Sequence, residues 1–134
     1  MASILKVDQL QGIAAAKTVT VTVGTSATQS LEQGLAKAWI NLNGNSTIAA
    51  RDSLNVSGIT DEGTGEYSVA FSSNFANVNF CTTEAHEYSI DATANSTFLC
   101  FHTYTASSIR VELHYNTTNY DHEIVLMAST GDLA

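Results

Sequence analysis

The sequence predicts an all-β domain, an antiparallel β-sandwich or jelly-roll-like fold, preceded by an N-terminal arm. Segments in which apolar and polar residues alternate recur about every ten residues, which gives roughly eight to ten short strands. Turn-forming residues separate these segments, and almost no stretch follows the period of a helix. The chain has 134 residues and is 44% apolar, which is enough for one domain with its own core.

The first residues, Met1–Ala16, are predicted to be an attachment arm, and residues 17–134 the sandwich domain. The apolar side chains of the arm fit neither the helical nor the strand period, and they are too few to bury themselves. The arm therefore needs another surface, and we expect it to hold the chain to a particle. The predicted attachment residues are Ile4, Leu5, Val7, Leu10 and Ile13.

The next segment, Lys17–Val23, alternates strictly between valine and threonine and predicts a half-buried strand. A bare edge of this composition is prone to aggregation, so we expect a partner strand or a neighbouring subunit to cover it. Gly24–Gln29 is predicted to be a loop, and the capping-box spacing of Ser30–Gln33 predicts at most two helical turns. Residues 17–32 are alternatively a strand and linker exchanged between subunits. The predicted subunit-interface residues are Val19, Val21, Val23 and Leu35.

The only tryptophan, Trp39, lies in the predicted strand Ala36–Leu42, where Ala38, Ile40 and Leu42 share one face. The dipeptide Asn43-Gly44 is a hairpin signal, and Thr47–Ala50 is the predicted return strand.

A second hairpin is predicted to pair Ser53–Ile59 with Glu66–Phe71 through the turn Asp61–Gly65. We expect Tyr67, Val69 and Phe71 to face the core.

The remaining segments complete the predicted sandwich. Thr97–Tyr104 is apolar on both faces, which predicts a central strand covered on both sides. In Ser107–Tyr115 the predicted inward residues are Ile109, Val111, Leu113 and Tyr115. The other predicted strands are Val78–Thr83, Tyr88–Ala92 and Glu123–Ala128, and the predicted loops or turns are Ser72–Asn77, Ala94–Ser96 and Asn116–Asn119.

The charge balance excludes two classes of partner. The formal net charge is −8, and the five lysines and arginines are scattered along the chain. Nucleic acids and anionic membrane surfaces are therefore not expected partners. No apolar run is long enough to span a membrane, and Met1–Ala16 lacks the pattern of a secretory signal.

No motif in the sequence predicts catalysis, a cofactor or a metal site. His86, His102, His114 and His122 show no metal-binding spacing, and no nucleophile elbow or phosphate-binding loop is present. The carboxylates of Asp61–Glu66 could hold calcium weakly, but a solvated hairpin tip is the favoured interpretation. Cys81 and Cys100 are either a cross-strand disulfide or two buried thiols.

Two stretches of the sequence resemble bacteriophage virion proteins. One is M-A-S-I-L-K-V-D-Q-L-Q-G at Met1–Gly12, and the other is Gln33–Phe71, with K-A-W, A-A-R-D-S and D-E-G-T-G. The likeness is strongest to tail-fibre-type proteins of marine and cyanobacterial phages. The rest of the chain agrees with these proteins mainly in its β character.

The resemblance implies a non-enzymatic virion protein: a homotrimeric tail-fibre or appendage domain that contacts other virion proteins and binds a host surface glycan or protein. It would be assembled in the host cytoplasm. Tail fibres usually carry shaft repeats between arm and tip, and none is present here. A capsid decoration protein, whose trimers stabilise the head, is therefore the alternative.

Overall fold

The computed structural model describes residues 19–23, 25–86, 97–115 and 117–134. Side chains of residues 23, 32, 33, 97, 98 and 115 lie outside this description. The chain divides into two compact units, Met1–Leu35 and Ala36–Ala134, which are described separately. The predicted arm, the predicted strand Tyr88–Ala92 and the predicted turn Ala94–Ser96 lie outside the described residues.

The first unit contains a β-hairpin followed by one helical turn. Strand β1 (Thr20–Val23) pairs antiparallel with β2 (Ala27–Ser30), and α1 spans Leu31–Gly34. The amide of Leu31 donates to the carbonyl of Val19 over 2.8 Å, so the helical turn begins where the hairpin closes. The prediction that Gly24–Gln29 is a loop is wrong from Ala27 onwards, because these residues supply the partner strand of β1.

The second unit is built from antiparallel strands. Its strands are β3 (Ala36–Asn43), β4 (Ala49–Leu54), β5 (Val56–Gly63), β6 (Glu66–Phe71), β7 (Cys81–His86), β8 (Thr97–Tyr104), β9 (Ser108–Tyr115), β10 (Thr118–Asn119) and β11 (Val125–Thr130).

These strands form two sheets. One sheet has the order β4-β3-β11-β7. In the other, β5, β6 and β9 are neighbours, β8 pairs with the far side of β9, and β10 adds a short pairing to β9. The inner faces of both sheets contribute to one hydrophobic cluster. The structure confirms the predicted all-β, antiparallel, sandwich-like fold.

Alternation along the strands places the core as predicted. The predicted inward residues of β3, β6 and β9 whose side chains the structure describes are nearly inaccessible to solvent, as are two apolar residues of β11, whereas the side chain of Tyr115 lies outside the description. The inaccessible residues are Ala38, Ile40 and Leu42; Tyr67, Val69 and Phe71; Ile109, Val111 and Leu113; and Val125 and Met127. At about 25 cal/mol per Å² of buried apolar surface, this set supplies the main stabilisation of the fold.

One end of the sandwich is closed by aromatic rings that include two loop residues. Phe75 and Phe80 stack with ring centroids 4.1 Å apart, and Phe71 meets Phe75 edge-on at 5.0 Å. Tyr104 stacks on the other side of Phe80 at 4.8 Å. Loop 72–80 is thus held down by aromatic packing, which contributes more than the buried area alone.

A buried polar seam ties the two sheets together near the β3–β4 and β5–β6 turns. The hydroxyl oxygen of Tyr67 lies 2.9 Å from Oδ1 of Asp121 and 3.1 Å from the carbonyl oxygen of Gly44. Asp121 Oδ1 also accepts from the amide of Gly65 over 2.6 Å. Burial, reinforced by Asp121, raises the pKa of Tyr67 well above its ordinary value near 10. The phenol therefore remains neutral and serves as a donor in this seam.

Gly44 is required by packing against this seam. A Cβ at Gly44 would lie 2.3 Å from the hydroxyl oxygen of Tyr67, whereas the positive φ of the loop falls on Ser46, at 64°. The dipeptide signal predicted the hairpin correctly but not the reason for the glycine. Gly65 has a φ of 69°, as expected for a glycine in a tight turn.

Several strand predictions need correction. The strand predicted at Ser53–Ile59 is Val56–Gly63, because Ser53 and Leu54 end β4, and the strand predicted at Glu123–Ala128 is Val125–Thr130. The return strand of the first hairpin is Ala49–Leu54, not Thr47–Ala50, because a loop separates Gly44 from it. The strand predicted at Val78–Thr83 is Cys81–His86, and Val78 is 53% exposed.

The strand Thr97–Tyr104 was predicted to be central, but among the described residues it pairs only with β9. Only its inner side chains, such as Leu99 and Phe101, pack on the core.

Candidate functional site

The outer face of the β4-β3-β11-β7 sheet carries the largest side chain of the chain, Trp39. The strand register sets two rows of side chains across this face. We call the surface formed by these rows the Trp39 face. The first row is Leu54, Trp39, Ala128 and Thr83, and the second is Asp52, Asn41, Leu126 and Ala85.

The Trp39 face is apolar and open to solvent. Leu54 is 47% exposed and Leu126 is 38% exposed, while Trp39 is half-buried between them. An open groove of about 390 Å³ runs beside Trp39 over β11 and β7. Trp39 and Leu126 form the sides of the groove. The small side chains of Ala128 and Ala85 leave the space between them. Exposed apolar surface of this kind marks interaction sites.

Charge is nearly absent from the Trp39 face. Asp52 is the charged side chain within the two rows. Lys37, which precedes Trp39 on the same side of β3, and the Arg51–Glu123 ion pair beside Asn43 border the face. Glu84 also borders the groove, but it is paired opposite the buried Met127 and its carboxylate lies 3.5 Å from His86 Nδ1. Asn41 Oδ1 is buried without a hydrogen-bond partner among the described residues. The face is therefore close to neutral in a chain of net charge −8.

The outer face of the other sheet has the opposite chemistry. We call the surface formed by its polar side chains the Glu112 face. These side chains are Glu62, Glu66, Ser68, His102, Arg110, Glu112, His114 and Asn119.

Two acids of the Glu112 face lie directly opposite each other. Glu66 and Glu112 are cross-strand partners, an arrangement that is repulsive by itself. Arg110 and Asn119 both donate to Glu66, and the bond from Arg110 raises the pKa of that guanidinium above its usual range. His102 Nε2 and His114 Nε2 lie 3.5 and 3.4 Å from the two carboxylate oxygens of Glu112. Glu66 is thus paired with a guanidinium, and Glu112 lies beside two imidazoles.

The described histidines and carboxylates do not gather into a metal-binding group. The His102–Glu112–His114 group lies on an open sheet face. Within the part of the chain that the structure describes, no group of three or more His, Cys, Asp or Glu side chains is arranged to hold a metal ion.

The carboxylates of Asp61, Glu62 and Glu66 each have different hydrogen-bond partners, as expected for a hairpin tip without a bound ion. Asp61 Oδ1 accepts from the amide of Gly63, Glu62 accepts from Ser68 over 2.7 Å, and Glu66 accepts from Arg110 and Asn119. They therefore do not converge on one cation. Cys81 and Cys100 are both free and exposed, so neither alternative considered for them, a disulfide or two buried thiols, is correct.

The predicted interface and attachment residues are placed only in part. Val21 is 46% and Leu35 is 52% exposed, Val19 is half-buried, and the side chain of Val23 lies outside the description. A shallow groove in the first unit is lined by Val21, Leu31 and Leu35. Their role at a subunit interface stays a prediction. The attachment residues Ile4, Leu5, Val7, Leu10 and Ile13 lie outside the described residues.

Sequence reasoning did not predict the Trp39 face as a site. Trp39 and Asn41 were expected on the side of β3 away from its core residues, but Leu54, Thr83, Ala85, Leu126 and Ala128 join them only through pairing over long sequence distances. A usable signal was the solitary tryptophan at a non-core strand position.

Comparison of the chain with protein-family models, curated proteins and solved structures finds no match. Among the described residues, no helix has the length and apolar character needed to cross a membrane.

Proposed function

We propose that this chain is a non-enzymatic structural protein of a bacteriophage virion. It acts as a trimeric tail-fibre or appendage domain that is attached to the particle by its N-terminal arm and presents its remaining surface to the host. The phage assignment rests on the resemblance of Met1–Gly12 and Gln33–Phe71 to virion proteins.

The observation that supports a structural role is the Trp39 face, which no other described part of the second unit covers. Leu54 and Leu126 remain substantially exposed although the sandwich has a complete core of its own. An apolar sheet face beyond what the fold needs is typical of a protein that works in an assembly. The first unit adds exposed apolar side chains, Val21 and Leu35.

The polar groups of the second unit contribute to its stability. Tyr67, Asp121 and Gly65 form bonds that hold the turns of the two sheets together. Glu66 and Glu112 pair with neighbours on the same face. These groups stabilise the fold, and none of them lies in a cleft where a substrate would be enclosed.

A capsid decoration protein is the second candidate. The observation that favours it is that the sandwich strand β3 begins at Ala36, directly after the unit Met1–Leu35, so no shaft separates the two units. Decoration proteins stabilise the head by trimers seated on the shell, and such proteins need no shaft.

Copy number in purified virions of the encoding phage tests both candidates. We expect the protein in the particle, at a handful of copies for an appendage or at hundreds for decoration, as measured by quantitative mass spectrometry. Particles that lack the protein would refute both. Removal of Met1–Ala16 should leave the sandwich folded and abolish its attachment to particles, and truncated chains that still attach would refute the role of the arm.

A further inference from the structure

We propose that the Trp39 face is the surface through which copies of this chain associate, with the β4–β3 half of the face on one copy packed against the β11–β7 half on the next. The inference rests on the proposed function, which includes a trimer, and it assigns the surface that the trimer uses.

The shape of the face supports contact between two unlike halves. Leu54 and Trp39 form a ridge along β4 and β3. Ala128, Thr83 and Ala85 form the low side of the groove on β11 and β7. A ridge on one copy can therefore enter the groove of the next. Because the two contacting halves differ, the contact is heterologous, and it generates a closed ring when the rotation between copies permits closure.

The distribution of charge favours a second copy as the occupant. Each copy carries a formal net charge of −8, so two copies repel each other except where the contacting surfaces are locally neutral. The Trp39 face, with Asp52 and Lys37, meets this condition, whereas the Glu112 face presents Glu62, Glu66 and Glu112. A cationic partner, by contrast, would be drawn to the Glu112 face.

The chemistry of the groove fits a protein surface better than a sugar. Sugar sites combine an aromatic platform with several convergent polar groups. Here Trp39 is bordered by Leu54, Ala128 and Leu126. Asn41, Thr83 and Glu84 also line the groove, but the amide oxygen of Asn41 is buried and the Glu84 carboxylate lies 3.5 Å from His86 Nδ1. Apolar side chains around a central tryptophan, with charge at the edge, are the composition of a protein–protein contact.

The test measures the mass of the full chain in solution by light scattering, for the wild type and for variants that each carry one charge substitution. Leu54→Glu and Leu126→Glu place an acid on each half of the face. Val78→Glu is the matched control, because Val78 is 53% exposed in loop 72–80 and belongs to neither row of the face. Val21→Glu and Leu35→Glu test the first unit in the same way. Circular dichroism confirms that each variant is folded.

We expect the wild-type chain and Val78→Glu to scatter at three chain masses. Leu54→Glu and Leu126→Glu should each weaken association at least about tenfold, because an acid buried in the contact lacks a partner. Association that survives both changes, or that is lost only in Val21→Glu and Leu35→Glu, would overturn the inference. So would a monomeric wild-type chain, or a glycan that binds the monomer and is lost in Leu54→Glu. A monomeric wild-type chain would also contradict the trimer in the proposed function, whereas the other outcomes concern the contact surface alone. The virion measurement decides the virion assignment independently of the surface.

Discussion

The two outer faces of the sandwich are built from sheets of the same kind and yet have opposite chemistry. The Glu112 face carries acids, and the structure supplies partners for them on the same face: Arg110 and Asn119 for Glu66, and His102 and His114 for Glu112. The Trp39 face carries Leu54 and Leu126, which remain exposed.

The difference shows which face is complete within one chain. Pairing with Arg110 offsets the charge of Glu66, so part of the Glu112 face is already partnered within the chain. The Trp39 face gains from being covered, at about 25 cal/mol per Å² of apolar surface removed from water. A sandwich needs apolar side chains on its inner faces only, so we infer that the second apolar face serves association rather than folding of the single chain.

The largest expected effect comes from breaking the seam that supports both faces. Gly44→Ala should destabilise the fold by about 2–4 kcal/mol, because its Cβ collides with the Tyr67 hydroxyl, which must move and lose its buried hydrogen bonds. Gly58→Ala is the control, since a Cβ there meets nothing within 4 Å. Urea unfolding measures both. Equal stability of the two variants would contradict the packing role of Gly44.

The next largest effect is expected from removing the Tyr67 hydroxyl from the same seam. Tyr67→Phe keeps the buried ring but removes the donor, and it should cost about 1 kcal/mol near neutral pH. Because the pKa of Tyr67 is raised in the folded chain, its stabilisation is complete below pH of about 10, where the unfolded phenol is also neutral. The stabilisation is lost as the pH rises further.

Unfolding by urea at pH 8 and pH 11 therefore separates the two proteins. We expect the wild-type chain to lose more stability between these two pH values than Tyr67→Phe does. The difference is at most about 1.4 kcal/mol per pH unit above the ordinary tyrosine pKa. An identical loss in both proteins would show that the phenol is not held neutral by the fold.

A smaller effect tests whether the Glu112 face is self-contained. Glu66→Gln removes the charge that pairs with Arg110, so the unfolding midpoint should fall modestly while association stays unchanged. Glu123→Gln is the matched control, because its pair with Arg51 is more exposed, with 63% of the Glu123 side chain accessible. A loss of association in Glu66→Gln would mean that copies associate through the Glu112 face and not through the Trp39 face.

The smallest expected effect on folding is on the Trp39 face itself. Leu126→Glu changes an exposed outward residue of β11, so the stability of the isolated subunit should change by less than about 0.5 kcal/mol. Urea unfolding at low protein concentration measures this. A loss of several kcal/mol would mean that Leu126 serves the fold of the single chain.

Sequence patterns predicted what depends on local alternation. The inward sides of β3, β6 and β9 were predicted because the side-chain period of a strand is two, whatever its partners are. The exposure of Cys100 and the place of strand Thr97–Tyr104 in its sheet were not predicted. Apolar residues on both sides of a strand do not reveal whether the strand lies at the edge of a sheet. Only pairing over long distances decides that.

The Trp39 face could not be predicted for the same physical reason. Leu54, Trp39, Ala128 and Thr83 form one row, yet they come from four separate strands. A shift of one residue in any pairing would turn that strand's outward side chains into the core. The close approach of Tyr67 to Gly44 likewise joins residues from two hairpins.

The fluorescence of Trp39 tests the central claim most directly, because Trp39 is the only tryptophan in the chain. Emission and acrylamide quenching are measured over a dilution series, with the mass followed by light scattering in the same samples. We predict that emission shifts to the red and quenching increases as copies dissociate, in step with the mass. A mass that falls from three chains to one while the accessibility of Trp39 stays constant would contradict the claim.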